Sequence, residues 1–342
     1  MEKIRIAIIG MGRMGVTHYS IINSREDVQI VSISDTSKMM LDINRKFNPG
    51  LEVYSDYRRM LEKSQLDGII VCTPPTLHYD ICKTACEKGV AVFCEKPFTA
   101  NLEQARELTE MFQRAGLVNQ VGYVNRFNDV FVRVRELVQS GILGKIVRFK
   151  SEMFSATVIK PSSGSGWRSK RSGGGGVTFE MASHALDLVN YFLGKPKRTI
   201  GAEMTSIYSK TVEDAVSATL LYEDGKSGTI YVNWSDTSFR KPSNKIEIFG
   251  TGGKLLADQH GMKIFMNQAN EAYSLRKGWN TIYITDVFKP VPFYVRGNEF
   301  TSQLYHFADA IKNNVTDTIC SFADGLAVHE IINEIFTSCE AK

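Results

Sequence analysis

From residue 4 to residue 124 the chain alternates short apolar runs with helix-patterned segments, a rhythm that few folds accept. The runs are IRIAIIG (4–10), VQIVSISD (28–35), GIIVCTP (68–74), VAVFCE (90–95) and LVNQVGYV (117–124). Helical patterns occupy 14–24, 37–47, 55–63, 76–88 and 101–115 between them. Strands that are apolar throughout are covered on both faces, and strand–helix alternation sets them side by side in a parallel, doubly wound sheet. After a helix-like bridge at 129–140 the rhythm changes. IVRFKSEMFS, RTIGAEMTSI, SATLLYED, SGTIYVNWS, KIEIFG, GKLLAD and MKIFMN follow closely, with Asp-Gly and Gly-Gly turns between several of them. That is an antiparallel signature, interrupted by a helix at 177–193 and closed by helices near 299–313 and 322–337. The expectation is an α/β domain over 1–124 and an α+β domain over 125–342 with a large, mostly antiparallel open sheet.

A chain of 342 residues is long enough for two such cores. Its formal net charge of +4 is small and evenly spread, which argues against nucleic acid or a membrane surface as partner. No stretch approaches ~18 consecutive apolar residues. MEKIRIAIIG enters a strand pattern directly and lacks a signal peptide's apolar region. The six cysteines lie mostly in apolar runs without CxxC spacing, which reads as reduced, buried thiols. A cytoplasmic protein is expected.

The first strand runs into Gly10-Met11-Gly12-Arg13-Met14-Gly15 and then a helix. Gly10 permits the tight turn, Gly12 lets the backbone approach a pyrophosphate, and Gly15 lets helix and strand pack closely. The helix N-terminus adds unpaired N–H groups and a positive dipole end for phosphates, with Arg13 and Met14 in its first turn. Asp35 ends the next strand about 20 residues on, the spacing this dinucleotide fingerprint requires. An aspartate there accepts hydrogen bonds from ribose hydroxyls and repels a 2′-phosphate, which favours NAD; Lys38 nearby keeps NADP open. The third strand ends at Thr73-Pro74-Pro75, a rigid wall on the nicotinamide side. His78 either faces the cofactor or packs on the helix that it starts.

Five motifs then occur in order: the glycine turn, TPPTLH (73–78), Glu95-Lys96-Pro97, the Gly122-Tyr123-Val124-Asn125-Arg126-Phe127 passage, and a glycine run leading to Glu180-x-x-x-His184-x-x-Asp187. Together, over essentially the whole chain, they resemble the Gfo/Idh/MocA family, which includes glucose–fructose oxidoreductase and inositol dehydrogenases. The resemblance implies a Rossmann NAD(P)-binding domain followed by a substrate-binding and oligomerisation domain. It also implies that Lys96 lies beside the nicotinamide, near the hydroxyl that loses its proton as the carbon loses hydride. A lysine between a cofactor cation and low-dielectric walls has its pKa lowered toward an acid/base range. The resemblance implies that the Lys96–Pro97 bond is often cis, and Glu95 is read as orienting that turn and the nicotinamide ribose.

On a regular α-helix, Glu180, His184 and Asp187 share one face. Carboxylates beside a histidine fix its tautomer and stabilise its cation, which suits a proton relay. The resemblance implies that His184 lies beside the reacting hydroxyl, whereas the family usually has aspartate where this chain has Glu180. A salt-bridged helix face or a divalent metal site are the other readings of that stripe. Tyr123, Asn125 and Arg126 follow the last parallel strand, where a substrate would sit. The low-complexity stretch PSSGSGWRSKRSGGGG (161–176) reads as a flexible loop. Its Trp167, Arg168, Lys170 and Arg171 would suit a sugar nucleotide by stacking and phosphate pairing, or else form a basic loop or an oligomer contact. Phe293, Tyr294, Arg296 and Asn298 are candidates to complete the pocket.

These features imply an NAD(P)-dependent oxidoreductase acting on a secondary hydroxyl or ketone of a sugar, cyclitol or nucleotide sugar, assembled as a homodimer or homotetramer. Two alternatives stay open. One is a glycosidase that oxidises and re-reduces its sugar with tightly held NAD; the other is a ligand sensor, which would be expected to lose Lys96 and His184.

Overall fold

The computed structural model describes residues 3–161 and 166–340 and divides into two compact units. Met1–Val124 and Pro290–Leu326 form the first; Asn125–Lys289 and Ala327–Lys342 form the second.

The first unit is built on six strands: β1 (Ile4–Ile9), β2 (Val28–Ser34), β3 (Glu52–Tyr54), β4 (Gly68–Val71), β5 (Ala91–Cys94) and β6 (Asn119–Val121). They pair in the order β3-β2-β1-β4-β5-β6, all parallel. The order reverses between β1 and β4, so their carboxyl ends border the crevice in which open α/β sheets take ligands. Strand β3 is absent from the sequence reading. It has three residues and none of them is buried, so it carries no apolar run to recognise.

The first unit also contains a segment that the sequence reading assigned to the second domain. Helix Asn298–Asn313 carries Leu304, Phe307 and Ala308, all fully buried in the cluster that holds Ile6, Ile8, Ile33, Ile70 and Phe93. Burying a leucine or phenylalanine stabilises by about 1.5–3 kcal/mol, so the helix joins the sheet that offers its apolar face a partner. Arg25 fastens it further, donating to the Tyr305 carbonyl at 2.9 Å and to Asp309 at 2.8 Å.

The second unit holds β7 (Ile146–Phe154), β8 (Arg198–Thr205), β9 (Ala215–Leu221), β10 (Ser227–Asn233), β11 (Ser243–Gly250), β12 (Gly253–Asp258), β13 (Gly261–Met266) and β14 (Gly278–Tyr283). Their order is β14-β13-β12-β11-β7-β10-β9-β8, antiparallel except for the parallel pair β7 and β10. Alternate residues such as Ile230 and Val232 are buried while Thr229 and Tyr231 are exposed, the mark of a sheet covered on one face. Strand β14 was not expected: it lies at the sheet edge and buries none of its residues.

The helix expected at 177–193 opens instead with a π-turn, Thr178–Ala182, and becomes an α-helix only over Ser183–Leu193. The wider turn places Glu180 off the α-helical stripe assumed for Glu180, His184 and Asp187.

Candidate active site

In the first unit the glycine turn packs as tightly as its spacing predicts. A Cβ on Gly15 would lie 1.9 Å from the Gly10 carbonyl oxygen, so only glycine lets the helix Arg13–Ile22 sit against the turn. Gly12, at the N-cap, is exposed, and a Cβ there would meet nothing within 4 Å. Among the described residues no side chain caps this helix start. Uncapped N–H groups beside an open glycine form a cradle that a dinucleotide's phosphates fit. Arg13 is exposed at its edge and Met14 is half-buried.

Asp35 does more than the fingerprint requires. Its Oδ2 accepts the Met11 N–H at 2.5 Å and its Oδ1 accepts the Ser37 N–H at 2.7 Å. Each carboxylate oxygen keeps a second lone pair for a ribose hydroxyl. At the end of β4, the Thr73 hydroxyl is buried and has no hydrogen-bond partner among the described residues. A buried orphan of that kind suits a polar group of a bound cofactor. Pro74 is exposed beside it.

His78 is fully buried, with Nε2 at 2.8 Å from the Thr73 carbonyl and Nδ1 at 3.0 Å and 3.2 Å from the Pro97 and Phe98 carbonyls. Burial pushes its pKa down against the pull of those carbonyls. Its ring nitrogens face backbone carbonyls, so it ties the segments after β4 and β5 together.

At the end of β5 the Lys96–Pro97 peptide is cis. Glu95 sits beside it and uses both carboxylate oxygens: Oε1 lies 2.6 Å from His18 Nε2, and Oε2 accepts the Lys96 N–H at 3.2 Å. Burial pushes the Glu95 carboxyl up, but His18 and the neighbouring Lys96 outweigh it and hold it below its ordinary range. His18 escaped sequence reasoning. The signal was a histidine three residues after Gly15, on the helix face that packs inward. Lys96 itself is half-buried.

Arg296 also belongs to this unit. It is exposed, and its guanidinium stacks 5.1 Å from the Phe300 ring. Partial burial lowers its pKa, the positive charge of Arg13 lowers it further, and Glu95 opposes them. It therefore shares the electrostatic surroundings of the glycine turn. Tyr294 is exposed, the Phe293 carbonyl accepts the Thr301 hydroxyl at 2.6 Å, and Asn298 begins the following helix.

Two residues expected at a substrate pocket are buried. Tyr123 is 1% exposed, and Arg126, in the second unit, is 3% exposed. The Arg126 guanidinium grips Asp187, with Nε at 3.0 Å and 3.1 Å from its two oxygens and an amino nitrogen at 2.8 Å. It also stacks 5.0 Å from the Tyr191 ring. Arg126 therefore has a buried carboxylate partner 61 residues downstream. Asn125 is half-buried.

The glycine run is packed, which corrects the flexible-loop reading over 166–176; residues 162–165 lie outside the described residues. A Cβ on Gly175 would fall 2.4–2.6 Å from the backbone of Trp167 and Arg168. Gly176 has φ +95°, and a Cβ there would meet the Glu213 carboxylate at 2.3 Å. Glu213 accepts the Thr178 N–H at 3.1 Å and pairs with Arg171 at 3.4 Å, so it anchors the start of the π-turn. Arg168 lies 4.9 Å from the Trp167 ring, and its Nε and Nη2 donate to Glu180 Oε1 at 3.2 Å and 3.1 Å. Two of the loop's three cations are therefore neutralised within the protein, which weakens the case for a nucleotide's phosphates. Lys170 is exposed. His184 is half-buried on the α-helix that follows. The stripe's two carboxylates each meet an arginine, and among the described residues no three His, Cys, Asp or Glu side chains are placed to hold a metal ion.

Residues 4–123 match a family model described as an oxidoreductase family with an NAD-binding Rossmann fold, GFO_IDH_MocA, and residues 131–256 match the GFO/IDH/MocA C-terminal domain. The chain is 24% identical over 332 residues to scyllo-inositol 2-dehydrogenase (NAD(+)) of Bacillus subtilis, covering 93% of this chain and 89% of that protein. It is 28% identical over 260 residues to D-glucoside 3-dehydrogenase of Escherichia coli, covering 70% and 71%. In fold it resembles a levoglucosan dehydrogenase solved with NADH and levoglucosan, with a TM-score of 0.86 at 20% identity over 99% of this chain and 98% of that one.

Proposed function

The chain belongs to the Gfo/Idh/MocA oxidoreductase family, and from that premise we propose that it oxidises a secondary hydroxyl of a sugar or cyclitol, or reduces the matching ketone. The observation that carries the reading is the pairing of an open, uncapped glycine turn with a lysine fixed at the end of β5 by Glu95. Gly10, Gly12, Gly15, Asp35 and Thr73 hold NAD, which when bound supplies a two-electron acceptor for the carbinol carbon. Lys96 takes the hydroxyl proton as the carbon is oxidised and returns it in the reverse direction. His184 is the second proton carrier. Glu180 and its partner Arg168 contact the substrate's other hydroxyls, and the charge balance of their loop favours a neutral sugar over a nucleotide sugar. The exposed Phe249, Trp279 and Tyr283 of the second sheet support a homo-oligomer. Among the described residues no helix is long and apolar enough to cross a membrane.

The test follows reduced-nicotinamide absorbance while NAD or NADP is offered with inositols, free sugars, alkyl glucosides and UDP-sugars. Reduction with a neutral sugar or cyclitol is the expected result. Release of free sugar from an aryl glycoside without net reduction would replace this reading with the glycosidase.

Asp35 carries a separate expectation. Asp35→Asn keeps one acceptor oxygen but removes the charge, and losing a hydrogen bond to a charged group costs about 1.5–3 kcal/mol. The KM for NAD should rise roughly 10-fold to 100-fold while that for NADP changes little or falls. Steady-state kinetics with both cofactors checks it; an unchanged ratio of the two KM values would remove Asp35 from cofactor selection.

A further inference from the structure

Resting on the reading of Lys96 as proton carrier, we propose that His18 is its positioning residue, a brace that fixes the catalytic turn to the helix receiving the cofactor's phosphates. His18 lies on the helix Arg13–Ile22, whose first turn forms the phosphate cradle. Its ring is fully buried and packs edge-on against Phe93 of β5 at 5.3 Å. From there Nε2 reaches Glu95 Oε1 at 2.6 Å, and the other oxygen of the same carboxylate accepts the Lys96 N–H. A Cβ on Gly122 would lie 3.2 Å from that carboxylate, so the glycine leaves room for Glu95.

The chemistry of the pair fixes which nitrogen carries the proton. A carboxylate only accepts, so Nε2 donates. Nδ1 is buried and has no partner among the described residues, so a proton there would be a buried donor without an acceptor. Nε2 is therefore the nitrogen that carries the proton shared with Glu95. One side chain therefore links the cofactor-binding helix to the Lys96 turn through two successive hydrogen bonds. His78 holds the far side of the same turn through the Pro97 and Phe98 carbonyls. A lysine that must meet a bound sugar and a bound nicotinamide at once is sensitive to such support, because about 1 Å of misplacement can cost 10²-fold in rate.

The test compares His18→Gln with His18→Met in the full-length protein. Both side chains fill similar space, but only glutamine keeps an N–H donor near the position of Nε2. Three readouts are taken: NADH binding by fluorescence, kcat and KM for the best sugar, and the rate at which limiting acetic anhydride labels Lys96, followed by mass spectrometry. The expected result is that His18→Met lowers kcat by about 10²-fold with NADH affinity within roughly 3-fold, that His18→Gln recovers at least about 10-fold of the loss, and that labelling of Lys96 changes in the methionine variant alone. Equal losses in both variants, or a methionine variant within about 3-fold of wild type, would overturn the brace. Labelling needs no turnover, which separates the two ideas: a wild type silent on every sugar, yet with Lys96 labelling that depends on the residue-18 donor, would refute the proposed activity and keep the brace. Labelling indifferent to residue 18 would refute the brace whatever the activity.

Discussion

Lys96→Ala is expected to lower kcat by about 10³-fold, within the 10²–10⁴-fold range that a positioned proton carrier contributes, while NADH still binds. The asymmetry follows from the layout of the first unit. On the proposed reading, phosphate and ribose binding rests on the glycine turn and Asp35, which follow β1 and β2, whereas Lys96 stands past the end of β5. Removing the amine therefore leaves the dinucleotide site intact but gives the hydroxyl proton no acceptor as the carbon is oxidised. Lys96→Arg is the sharper control. It keeps positive charge and reach, but a guanidinium does not deprotonate in proteins, so it should rescue no more than a few-fold of the loss. Single-turnover NADH formation and equilibrium NADH fluorescence, measured on all three proteins, separate chemistry from binding. If Lys96→Ala kept kcat within about tenfold of wild type, the proton would have to travel by another group, and His184 would become the first to test.

The parts of this protein that were legible in its sequence are those governed by local physics. The glycine turn is one, because close backbone approach admits a single residue type at Gly15. Strands β4 and β5 are others, since strands covered on both faces must be apolar throughout. What stayed hidden depends on distant partners. Nothing in the period of the helix Asn298–Asn313 says which sheet receives Phe307. Nothing near Arg126 announces its buried partner Asp187, 61 residues on. The glycine run read as slack because composition cannot register the carbonyls of Trp167 and Arg168 or the carboxylate of Glu213 closing around it. His18 was concealed for a related reason: on the buried face of a helix, a histidine shows its role only through the carboxylate that it meets 77 residues later.

Arg126 and Asp187 carry the largest expected effect on stability. Their side chains are 4% and 1% exposed, and the guanidinium binds the carboxylate through two nitrogens. Arg126→Met leaves the Asp187 charge buried without that partner, a change that costs about 3–5 kcal/mol. For a unit of this size each kcal/mol lowers the midpoint by about 2–4 °C, so the second unit's thermal transition should fall by roughly 10 °C. The double variant Arg126→Met/Asp187→Leu removes both charges and should recover most of that loss, because well-packed apolar side chains are often as stable as the ion pair they replace. Calorimetry that resolves the second unit's transition decides it, and a shift below about 2 °C in Arg126→Met would show that the pair is not what holds this helix. The same comparison bears on catalysis. His184 precedes Asp187 by three residues on the helix Ser183–Leu193, so the buried pair anchors the element that carries the residue proposed as second proton carrier. The double variant should then regain stability ahead of activity, since apolar packing restores the energy of the contact but not the directional hold of two charged hydrogen bonds on the helix.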